Sequence, residues 1–270
     1  MMNLPLFKQA IKSNWLLLVI FTAVPCIFLA VMIAVFTTDT LVAMQTMLNS
    51  GKLPANLTQM MGNRLDLNNL TLTGILAAQY FQMMAVIFPM IYCIIVGNKL
   101  VASQVDRGSM AYVLSAPIER NSVTVTQAMY LISSLVVMFG SIGLVGVAAG
   151  QTLQPDQLDF HQFLMMDAGA FLLAFAIGGI TFCFSCIFNL SKHSIALGAG
   201  FPLAFFVITL LSQSDDSLKN LKYLSLITFS DTHLIISNGN SLPNFIAMFA
   251  IGVALYAIGI LVFRRKDLPL

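Results

Sequence analysis

The sequence predicts an all-α integral membrane protein with six transmembrane helices. Three observations predict it. The 270 residues are 58% hydrophobic and only 9% charged, with a mean hydropathy of +0.88, whereas soluble domains carry roughly 25% charged residues. Six apolar stretches reach the roughly twenty residues that a helix needs to cross the hydrocarbon core. The basic residues also fall unevenly between alternate loops.

The predicted spans are residues 15–36, 75–96, 123–149, 163–188, 194–211 and 242–263, in a single transmembrane domain covering 1–270. The first is too long for a signal-peptide core and lacks a small-residue cleavage site after it, so it reads as a retained span. Six spans put both termini on one side. With the termini inside, the inner loops hold Lys8, Lys12, Lys99, Arg107, Arg120, Lys192, Arg264, Arg265 and Lys266, and the outer ones Lys52, Arg64, Lys219 and Lys222. That bias favours cytoplasmic termini in a cell membrane, and the short loops and compact size look bacterial. A net charge of +2, spread over loops rather than clustered, is too small to suggest nucleic-acid binding, and no nucleic-acid partner is expected.

Ahead of span one, Leu4, Leu6, Phe7 and Ile11 alternate with Lys8, Gln9 and Lys12. This spacing predicts an amphipathic helix on the inner face, with its lysines near anionic head groups of the lipid bilayer. After span one, Leu41, Val42, Met44, Met47 and Leu48 predict a short helix at the outer interface. Residues 212–241 predict one or two short outer helices between spans five and six. Pro25, Pro89 and Pro202 lie inside spans one, two and five, where each removes a backbone donor. In span three, Gly140, Gly143 and Gly146, with Gly150 at its outer end, share one broad face. Small residues there admit a close neighbour, either a helix of the same chain or a second copy.

Chemistry within the membrane needs ionisable or nucleophilic groups at depth, and few are available. Asp167 is expected near the outer end of span four, within reach of the interface. His161, His193 and His233 fall at loops or span boundaries. Cys26, Cys93, Cys183 and Cys186 read as buried thiols, and Cys183-x-x-Cys186 lacks a second pair for a metal. No catalytic residue or metal ligand is predicted, and there is no G-x-x-x-x-G-K-[ST] loop for ATP. Gln79, Gln82, Gln127, Ser133, Ser134, Thr181, Ser185 and Asn189 are expected to bond between helices.

The most informative segment is residues 97–120, GNKLVASQVDRGSMAYVLSAPIER, which is polar, short and set among spans. It has a charged turn (Asp106, Arg107, Gly108), an apolar helical run (Met110, Tyr112, Val113, Leu114), then Pro117 and a charged stop (Glu119, Arg120). This segment resembles the loop after span two in membrane subunits of ABC-2 type transporters: an acidic stretch, Gly-Thr, a short apolar run, Ser-x-Pro and a basic residue. The matching positions are Gln104, Asp106, Gly108, Ser109, the run 111–114, Ser115, Pro117 and Arg120. Gln104 stands where the family usually has glutamate, and Ser109 where it has threonine.

The resemblance implies a non-catalytic permease subunit of an ATP-driven exporter for an amphiphilic cargo such as a peptide, drug or lipid. Resistance to antimicrobial peptides is one role open to it. It also implies partners: two copies of an ATP-binding subunit, which would hold ATP and Mg, and a second permease, identical or homologous. The 103–115 segment is then a coupling helix docking on the ATPase. In it Ser109 caps the helix start, Asp106 and Arg107 lie at the rim, and Met110, Tyr112 and Val113 are apolar anchors. The alternatives are a membrane anchor or sensor that binds a soluble partner without transport, an integral membrane enzyme, and an ion-coupled carrier.

Overall fold

The computed structural model describes residues 3–49, 71–110, 120–155, 157–214, 220–221, 223–237 and 239–266. Its elements are α1 (Leu4–Val35), α2 (Thr38–Asn49), α3 (Leu72–Asp106), α4 (Arg120–Leu153), α5 (Phe160–Ile187), α6 (Ser191–Ser214), α7 (Thr232–Ile236) and α8 (Leu242–Arg265), with a 3₁₀ turn at Leu226–Ser230 before α7. The described residues contain no strand. Six helices, α1, α3, α4, α5, α6 and α8, are long and apolar enough to span a membrane. The chain is therefore a multi-pass, all-α membrane protein.

The helix α5 forms the centre. It packs against α8, α3, α6 and α4, while α1 lies along α4. Lipid tails are as apolar as the side chains, so close packing and hydrogen bonds hold such helices together. The glycines of α5 and α8 provide that closeness. A Cβ on Gly252 would sit 2.5 Å from the Phe175 ring, and one on Gly179 3.1 Å from Leu255. Outward residues such as Val19, Ile27, Val207 and Ile246 remain exposed, as a lipid-facing surface requires.

Three local findings differ from expectation. The amino-terminal amphipathic segment is not a separate interface helix, because α1 runs unbroken from Leu4 to Val35. Nothing between Lys8 and Trp15 breaks a helix, and the Asn14 side chain donates to Ala10 O within it. Leu6, Ala10 and Asn14 turn inward, and the Asn3 N–H donates to Thr126 Oγ1 on α4 at 2.9 Å. Second, α3 is π-helical over Leu76–Met84, an uncommon geometry for so long a run. This stretch brings Tyr80 and Phe81 into the core edge to face at 5.2 Å, and Gln82 to Thr232 Oγ1 at 3.2 Å.

Third, Asp167 is enclosed in the bundle rather than open at its surface. It lies eight residues into α5 from the cap at Asp159, about 12 Å along the axis. The residue is 9% exposed, with Oδ2 against Gly143 and Oδ1 without a hydrogen-bond partner. Close packing of α4 on α5 at Gly143 and Gly146 encloses it.

Candidate functional site

A network of polar side chains joins the helices at the end of the bundle that carries both termini. There, α3 breaks at Val101, whose φ and ψ of −128° and −68° leave helical geometry. The freed Ala102 N–H is buried, and Ser185 Oγ on α5 accepts it at 2.9 Å. A final turn, Ala102–Asp106, follows and ends at Gly108, whose φ of +69° suits a residue without Cβ.

Side chains from four helices lock this end. Lys99 Nζ donates to Ser13 O on α1 at 3.0 Å, and Asn98 Nδ2 to Ser191 Oγ at 2.6 Å. Asp106 Oδ2 accepts from Ser191 N, the first residue of α6, at 3.3 Å. Lys266, just past α8, donates to Cys186 O in the last turn of α5, at 3.1 Å, and Arg120 Nη1 donates to Lys266 O. Thus a carboxylate sits at the amino end of one helix and an ammonium at the carboxyl end of another, which satisfies unpaired backbone groups and complements both dipoles. Partial burial holds the Lys266 ammonium below the ordinary lysine range.

Of the loop residues singled out in the sequence, Asp106, Arg107, Gly108 and Ser109 are exposed and Gln104 is half-buried. Met110 is only 1% exposed, so it faces the protein interior and is no anchor for a soluble partner. The residues that a cap at Ser109 would serve lie outside the described ones. Ser109 is already helical, and its hydroxyl donates to Gln104 O at 3.1 Å, closing the carboxyl end of the preceding turn. Tyr112, Val113 and Leu114 lie outside the described residues, as do Ser115 and Pro117. The expected 103–115 helix is thus divided by Gly108 in its described part.

On α1, Lys8, Ile11 and Lys12 are exposed, whereas Phe7 packs edge to face on Tyr130 at 6.1 Å. The span-three glycines divide. Gly143 meets Asp167 and Leu164, Gly146 meets Phe163, and Gly150 meets Leu158 and Phe160, all within the chain. Gly140 faces open space. Reading the sequence missed Asn98 and Ser191, whose only signal was polarity beside an apolar span. Ser185 was expected to bond between helices, and does. Among the described residues no group of His, Cys, Asp or Glu is arranged to hold a metal.

Comparison with known families decides what this architecture is. A profile described as "ABC-2 family transporter protein" matches residues 7–268. The chain belongs to the ABC-2 transporter family. The match runs through all six spans, and the chain is a permease subunit of an ABC transporter. Membrane subunits of ABC-2 transporters are not themselves catalytic, and the family implies an ATP-binding partner. No curated protein sequence matches the chain.

Proposed function

We propose that this ABC-2 permease exports an amphiphilic cargo (a peptide, drug or lipid-like molecule), driven by ATP hydrolysis on a separate subunit that docks at the 103–115 segment. The observation that carries the docking assignment is the exposed turn Asp106–Ser109. It projects from the end of α3 and stands on a framework braced to α1, α5 and α6. A rigid mount with a polar tip suits a soluble partner, because a push on the tip then moves whole helices.

In this reading the termini are cytoplasmic, the protein lies in a bacterial cell membrane, and ATP and Mg bind the partner. Two ATPase copies meet two permeases, identical or homologous. The packing supports this pairing, since α5 fills the centre of the bundle and a cargo path needs a second set of helices. Exposed apolar side chains on α1, α6 and α8 suit lipid and an amphiphilic cargo alike.

The test is co-purification of the tagged chain from its native membrane in mild detergent, followed by cargo-stimulated ATP hydrolysis. The native chain brings down an ATP-binding protein, and the double variant Arg107→Glu, Tyr112→Asp does not. An ATPase that stays bound to the variant would place docking elsewhere. An ATPase whose hydrolysis and transport ignore every amphiphile tried favours the sensor or anchor reading.

A further inference from the structure

Ser191 is held from both sides of the break in α3. Asn98 precedes Val101 and donates to Ser191 Oγ, and Asp106 follows it and accepts from Ser191 N. The first N–H groups of a helix have no partner inside it and lie at the positive end of its dipole. Asp106 therefore caps a different span from the one that carries it. The same carboxylate lies beside the exposed turn Arg107–Ser109.

The helix so held packs on α5, with Phe201 stacked on Phe184 at 5.5 Å and Gly198 against Thr181, and turns an apolar side outward. Ile195, Leu197, Phe201, Leu203, Val207 and Leu211 of α6 are all exposed, so its lipid-facing side offers little resistance to a shift. At the terminus-bearing end it is held at Ser191 by Asn98 and Asp106, and by the ring contact of His193 with Phe188.

We propose that Asp106 and Asn98 are positioning residues that make α6, the fifth span, the element moved by the loop. Displacement of the Asp106–Ser109 turn passes to α6 through Ser191. The inference rests on the reading that an ATPase docks on this turn. It assigns the mechanical output to span five, beyond the two spans that the loop joins in sequence.

Hydrogen–deuterium exchange of the intact complex tests it, reading the peptide over residues 190–200 with and without MgATP. The native complex shows nucleotide-dependent exchange in the first turns of α6. The variant Asn98→Ala, which leaves the docking turn Asp106–Ser109 intact, loses that dependence while still co-purifying with the ATPase, a combination that a purely structural role does not produce. Ser191→Pro is the second variant. Proline is accepted at the first helical position and lacks the N–H, so it removes the Asp106 bond from the other side, and the same loss is expected. Persistence of the nucleotide response in either folded variant overturns the inference, as does a native α6 that ignores nucleotide while the ATPase is bound. Failure of any ATPase to co-purify with the native chain overturns the docking reading first, and this inference with it.

Discussion

The ring of Phe163 occupies the space in which a side chain on Gly146 would begin. Phe163 is fully buried and packs edge to face on Phe81 at 5.5 Å, so the ring has nowhere to retreat. The contact joins α4 to α5 where the π-helical part of α3 also meets them.

Gly146→Ala consequently forces a shift of Phe163 or of the helix axis. Overpacking of this kind costs about 1–3 kcal/mol, and the melting temperature in detergent should fall. Gly140→Ala is the control, since its new methyl group meets nothing within 4 Å. Helix propensity alone should make that change neutral, or stabilising by up to about 1 kcal/mol. Equal effects at the two positions would contradict the packing described.

Removing the Ser185 hydroxyl leaves the Ala102 N–H buried without its acceptor. An unsatisfied buried donor costs about 1–3 kcal/mol, so Ser185→Ala should lower thermal stability by that amount. Ser141→Ala deletes only an exposed hydroxyl bonded to Val137 O of its own helix, and a change within about 0.5 kcal/mol is expected. A neutral Ser185→Ala would mean that the break at Val101 is satisfied in another way.

Asp167 brings a carboxylate into the bundle with one oxygen unpartnered. A charge inside a span is costly unless it works. Asp167→Asn keeps the shape and discards the charge, so stability should hold or rise. A fall of several degrees in melting temperature would show that the carboxylate itself holds α5 to α4. Retained stability with lost transport would mark Asp167 as a working group.

Lys266 ties the end of α8 to the last turn of α5. Truncation by Lys266→Ala removes a donor from a helix carboxyl terminus, worth about 1 kcal/mol. Thermal unfolding should report that loss, and Lys266→Arg should restore much of it. Identical melting of the Ala variant and the native chain would reduce this contact to a surface accident.

What the sequence determined by itself is the membrane architecture and the family. Crossing a bilayer demands long apolar helices, so six spans and the short helix at Thr38–Asn49 follow from residue order alone. The 97–120 loop was legible for a similar reason, since a polar, charged segment among spans stands out in composition. Only the tertiary structure decided where Asp167, Met110 and the glycines point, because burial depends on which helix lies opposite. It also decided that Asp106 serves the start of α6, 85 residues away in sequence. No spacing rule encodes that pairing. The π-helical turn over Leu76–Met84 was hidden as well, because its residues also suit an α-helix and only packing around Tyr80 and Phe81 distinguishes the two. Hydrophobicity is a property of each residue and its neighbours in the chain, whereas a partner across the bundle is a property of the fold.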